Sequence, residues 1–189
     1  MRLNKEQVAV RQLDSAIRFL FEGGDVVSVH TLACAAANVL RDILRGQGGE
    51  TWHDAIVASH PGIEQTVRQT LARPQNFFKH ADRDAEEELD FDENNNDEII
   101  IVATLEYGEL LKLGAPSGRS TITIPMSVFQ LWYFAKDPRV LLEVPESSSS
   151  HILIQARRLF PGLEDIPRVG QLAQGAEILR RRETSLSQL

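Results

Sequence analysis

The sequence predicts an all-α protein, a compact bundle of about seven to eight helices. Three observations carry that prediction. Apolar residues recur at helical spacing through most of the chain. Residues that start and stop helices fall at the ends of those runs. Of the two stretches that could read as β, Ile99-Ile100-Ile101-Val102 is favoured as helix by length and the Gly114 stop, and Thr121-Ile122-Thr123-Ile124 has no partner with which to build a sheet.

The first helix runs from about Lys5 to Glu22. Val8, Leu13, Ile17, Leu20 and Phe21 recur on one side, Asn4 caps the start and Gly23-Gly24 stops it. Asp25 caps a second helix that reaches about Arg45. Its apolar stripe is Val29, Leu32, Ala33, Ala36, Leu40 and Ile43, and its alanines allow a neighbouring helix to come close. The short loop between the two makes them antiparallel neighbours. Gly46, Gly48 and Gly49 end the second helix. Thr51 to Ser59 and Pro61 to Ala72 read as two further short helices.

After a central segment discussed below, an acidic stretch fills Asp84 to Glu98. Asp90, Asp92, Asn94 and Asn96 alternate as in a calcium loop, but the glycine and closing glutamate positions are wrong. A flexible acidic loop with a short extended piece at Leu89–Phe91 fits better. Asp97 then caps a helix through Lys112 that carries Ile101, Leu105 and Leu111 inward and stops at Gly114. Pro125 opens a helix to about Lys136 whose Met126, Phe129, Trp132, Tyr133 and Phe134 read as core or as a subunit contact. With no Arg or Lys before Lys136, this cluster is a poor base-stacking platform. Pro138 and Pro145 bracket a connector. Ser147 to Ser150 cap a helix over His151–Phe160, and a last helix runs from near Pro167 to about Arg182, leaving a disordered tail.

The 189 residues suffice for one sizeable core. The lone Cys34 excludes an internal disulfide and reads as a small buried filler. No stretch reads as a signal peptide or a membrane span, so a cytoplasmic location is the expectation. The net charge of −7 is uneven: Asp82 to Glu98 holds ten acids against Arg83 alone, which leaves the remainder at +2. A phosphate-bearing partner is therefore compatible with the charge balance. His53 and His60 lack the companions a metal site needs. No phosphate loop, dinucleotide fingerprint or nucleophile elbow occurs, and neither a metal nor a cofactor is expected.

The central segment is Arg73-Pro74-Gln75-Asn76-Phe77-Phe78-Lys79-His80-Ala81-Asp82-Arg83-Asp84. On a helix opened by Pro74, Asn76, Lys79, His80 and Arg83 share one arc, and Phe77, Phe78 and Ala81 share another. A face of Asn, Lys, His and Arg can hold an anion or perform acid–base chemistry; a solvated face or a satisfied hydrogen-bond cluster remains the simpler reading. His30, one turn before Cys34, belongs with the candidates if its helix faces this segment.

Two stretches together resemble the HEPN families, compact helical domains many of which are metal-independent ribonucleases of toxin–antitoxin and phage-defence systems. One is the first helical pair, with Leu13-Asp14-Ser15-Ala16-Ile17 and Gly24-Asp25-Val26-Val27-Ser28-Val29-His30-Thr31-Leu32-Ala33. The other is Arg73 to His80, where the family motif places an arginine, four to six residues and a histidine; here six intervene, and Pro74 stands where Asn, Asp or His is common. The resemblance implies a HEPN-like core over 1–115, C-terminal helices over 116–183 and a tail over 184–189. It implies His80 as general base on a ribose 2′-hydroxyl or acid on the leaving oxygen, since an imidazole titrates near ~6.5. It implies Arg73 on the phosphate, Asn76, Lys79 and Arg83 in substrate binding, and a homodimer with the site between protomers; His30 joins the substrate-binding candidates only through the placing of its helix. The alternative is a non-catalytic helical module that binds a partner protein or an anionic or nucleotide ligand.

Overall fold

In a computed structural model, which describes residues 1–59, 62, 65, 72–80, 82, 85–138 and 146–186, all regular structure is helical. The prediction of an all-α chain is correct. Eight α-helices lie among the described residues: α1 (Lys5–Phe21), α2 (Val26–Gly46), α3 (Trp52–Ser59), α4 (Arg73–Phe77), α5 (Asn95–Leu113), α6 (Ile124–Lys136), α7 (Glu146–Leu159) and α8 (Arg168–Leu186). A 3₁₀ turn, Leu163–Asp165, precedes α8. The chain forms two compact units, one of Met1–Ala16 with Asp25–Ile122, the other of Ile17–Gly24 with Thr123–Leu189.

The caps set the first unit's helix ends. The Asn4 side chain accepts from the Gln7 amide at 2.8 Å while Gln7 Oε1 accepts from the Asn4 amide at 3.1 Å. This reciprocal pair satisfies two donors the first turn of α1 cannot. Asp25 accepts from the Ser28 amide at 2.7 Å and Thr51 Oγ1 from the Asp54 amide at 3.1 Å, starting α2 and α3. α2 packs along α5, and α3 also rests on α5. Ala33, Ala36, Ala37 and Leu40 of α2 are fully buried, as are Ile100, Ala103, Tyr107 and Leu110 of α5. By length and composition α2 is apolar enough to cross a membrane; in this fold its buried side belongs to the core. α1 is tied to α5 and the turn after it by Glu6. Its Oε1 accepts from Tyr107 Oη at 3.0 Å and Ser117 Oγ at 2.5 Å, and its Oε2 accepts from the Ser117 amide at 2.6 Å. A buried carboxylate with three donors is a satisfied one.

The second unit is built on α6, which packs against α7, α8 and the 3₁₀ turn. Met126, Phe129 and Trp132 are fully buried, so the aromatic run is core. Phe21 meets Trp132 edge-on at 5.4 Å between ring centres. Trp132 Nε1 donates to the Gln171 carbonyl at 2.8 Å, and the Gln171 side chain donates to the Leu163 carbonyl at 3.0 Å. Gly175 of α8 lies so close to Phe21 that a Cβ there would stand 2.4 Å from the ring.

Several boundaries differ from those expected. The helix opened by Pro74 lasts only to Phe77; beyond it the Asn76 carbonyl accepts from both the Lys79 and the His80 amides at 3.1 Å. Asp97 does not cap α5: the helix begins at Asn95, and Asp97 is buried in its first turn. Ile101 is buried as expected, but Leu105 and Leu111 are only half-buried; Ile100, Ala103, Tyr107 and Leu110 complete the inward face of α5. The serines before His151 lie inside α7 rather than ahead of it. α8 continues through Leu186, where a disordered tail was expected from 184, and Glu183 pairs with Arg18 at 2.7 Å. The helix expected over 61–72 lies, isolated positions aside, outside the described residues, as do the connector residues 139–145.

Candidate functional site

The segment from Arg73 to His80 is held from beneath. Pro74 is buried, Phe77 and Phe78 are half-buried, and Arg73, Asn76, Lys79 and His80 are exposed. Phe78 is the anchor. Its ring meets Phe91 at 5.4 Å and the His30 imidazole at 5.7 Å, both edge-on, while Phe91 meets His30 at 5.0 Å. The short helix and the turn that follows thus present four polar side chains outward from an aromatic footing. Hydrogen bonds from the side chains of Asn76, Lys79 and His80 reach none of the described residues, and Arg83 lies outside them.

His30 sits behind this face, not on it, with no exposed surface. Its Nδ1 is 3.0 Å from Asn96 Oδ1 and its Nε2 is 3.3 Å from Cys34 Sγ. The neighbours assign the tautomer. Asn96 Nδ2 donates to the Val26 carbonyl at 3.1 Å, so its oxygen faces the ring and accepts from Nδ1–H. Nε2 then accepts the thiol proton. Burial pushes the Cys34 thiol up to about 12, so it stays protonated and serves as donor. The triad links α2 to α5 and supports Phe78 and Phe91.

Arg73 is not free of partners. Its guanidinium pairs with Glu87 at 2.9 Å, both side chains about half exposed. The acidic segment is therefore a strap laid against the candidate face and fastened by Phe91. Glu86, Glu87, Glu88, Asp90, Asp92 and Glu93 are all exposed on it. At its end Asp92 Oδ1 accepts from the Asn94 amide at 3.0 Å and side chain at 2.8 Å, leading into α5. Among the described residues no group of acids, histidines or cysteine is arranged to hold a metal.

Sequence reasoning missed a second polar cluster in the same unit. Arg45 grips Asp54 with two nitrogens, at 2.7 and 3.2 Å, and His53 Nδ1 lies 3.2 Å from the same carboxylate. The Arg45 guanidinium holds the Asp54 carboxyl well below the usual range. Nearby, Glu106 of α5 has no exposed side-chain surface, and its Oε1 takes Arg41 Nε at 3.3 Å. Burial raises its carboxyl despite Arg41. A hollow of about 370 Å³ opens between α2, α3 and α5, lined by Leu44, Thr51, Trp52, Ala55, Glu109 and Leu113 among others. Arg41 and Arg45, one turn apart on α2, were the available signal for this cluster.

No family model, no curated protein and no solved structure matches this chain.

Proposed function

We propose that this chain binds the phosphate of RNA or a nucleotide on the Arg73–His80 face, and that it acts as a HEPN-like, metal-independent endoribonuclease. The observation that carries the reading is the exposure of Arg73, Asn76, Lys79 and His80 together on one short segment whose aromatic side is anchored. Arginine and lysine supply charge and donors for a phosphodiester. An exposed imidazole without a protein partner among the described residues is available to move a proton. In this mechanism His80 takes the proton of a ribose 2′-hydroxyl, the oxygen attacks the adjacent phosphorus, and the bond to the 5′ oxygen breaks. The 5′ oxygen leaves with a proton, supplied by the same residue of a second copy in a homodimer. Arg73 stabilises the extra charge on the phosphorus oxygens.

RNA cleavage in excess chelator tests this. The wild type should leave 2′,3′-cyclic phosphate ends, His80→Ala should leave none, and Arg73→Ala should lower turnover by about 10²-fold or more. Cleavage that needs a metal, or that survives His80→Ala, ends the ribonuclease reading. The ion pair of Arg73 with Glu87 favours a second reading, a non-catalytic module in which the same face only binds an anionic ligand or partner protein. Retention of a labelled RNA or nucleotide without turnover selects it.

A further inference from the structure

The strap and the candidate face are chemically complementary in a way that the binding reading does not itself require. A carboxylate offers two oxygens and a negative charge to a guanidinium, as a phosphodiester does. Glu87 supplies that group from within the chain, 2.9 Å from Arg73. It is delivered by a segment whose exposed side chains from Glu86 to Glu93 are acidic at six positions. The segment is kept in place by Phe91 against His30 and Phe78. Phe78 belongs to the very turn that carries Lys79 and His80, so the strap's anchor and the face's anchor are one cluster.

We propose that Glu87 is a built-in competitor for the phosphate, occupying in the free protein the subsite on Arg73 that the phosphodiester of a single-stranded RNA takes on binding. The inference rests on the functional reading above and adds its regulation. The Arg73–Glu87 pair is half exposed, and such pairs hold weakly. RNA therefore displaces the carboxylate without disturbing the aromatic anchor beneath. The remaining strap carboxylates stay close and repel any phosphate-bearing ligand, so the contact at Arg73 has to supply the attraction.

The test measures affinity of the full chain for a fluorescein-labelled single-stranded RNA oligomer at low salt, by polarisation. Glu87→Gln keeps the side chain's size and removes its charge. It should tighten binding by about two- to fivefold, the range expected for release of one exposed pair. In an Arg73→Ala background the same substitution should change affinity much less, because there is no guanidinium to release. Hydrogen exchange read without RNA gives the second measurement: strap amides from Glu86 to Asp90 should exchange faster in Glu87→Gln and equally fast in Arg73→Ala. Wild type that binds RNA with an affinity unchanged by Glu87→Gln overturns the inference and leaves the functional reading standing. An equal gain with and without Arg73 also overturns it, since general repulsion would then be the cause. Absence of binding by both wild type and Glu87→Gln removes the functional reading and the inference together. Binding seen only in Glu87→Gln supports the inference.

Discussion

Cys34 and His30 share a hydrogen bond where neither reaches solvent, and that decides what each can do. A thiol pushed up to about 12 has negligible thiolate at neutral pH, so Cys34 is neither a nucleophile nor a redox sensor in the native state. His30 is locked by Asn96 on one side and by the thiol on the other. Replacing it with alanine leaves the Asn96 oxygen and the thiol unpaired and opens a void beneath Phe78 and Phe91. His30→Ala should cost about 3 kcal/mol of unfolding free energy, read from urea denaturation. A loss under 1 kcal/mol would mean that the triad is not a structural support. His80, exposed, should tolerate alanine within about 0.5 kcal/mol, so lost cleavage there would be chemical rather than structural.

Between elements, two contacts lend themselves to measurement. Glu106 of α5 faces Arg41 of α2 from a position without solvent access, and burial outweighs the arginine in raising its carboxyl. An acid with a raised folded pKa favours the folded state while protonated. Its contribution is complete below the unfolded carboxyl value near ~4.3 and is lost as pH rises through the higher folded value. Glu106→Gln carries no such titration. Wild-type stability minus that of Glu106→Gln should therefore fall as pH rises above about 4.5, and a flat difference would show that water or Arg41 already compensates the charge. In the other unit, Gly175 lets α8 lie on the Phe21 ring, where an added Cβ would stand 2.4 Å away. Helix propensity favours alanine by about 1 kcal/mol, but overpacking a core contact costs about 1–3 kcal/mol. Gly175→Ala should come out destabilising, with a lowered melting temperature.

Across the molecule the charge is divided. The unit containing Arg73 carries nineteen acids against eleven bases, and the other unit eight against nine. A ligand with phosphates approaches the first unit against its net field, so local contacts have to supply the attraction. With Arg73 and Lys79 as the phosphate contacts, log affinity for single-stranded RNA should fall with log salt at a slope of about −1.4, and Lys79→Ala should reduce that slope by about 0.7. A slope near zero would show that neither cation meets a phosphate.

The sequence by itself determined the helical class, most helix starts and stops, and the residues of the aromatic core in α6. These depend on capping side chains, glycines and apolar spacing within a few residues of each other, and such short-range chemistry is written in order along the chain. It also singled out Arg73, Asn76, Lys79 and His80, leaving their exposure open, and it drew the helix too long, since regular helix ends at Phe77. Only the tertiary structure decided that Glu87 meets Arg73, that Phe91 wedges against His30 and Phe78, and that Glu106 is buried beside Arg41. Each of those joins residues 13 to 65 positions apart, and a charge or ring does not reveal its distant neighbour until packing has chosen which surfaces face one another.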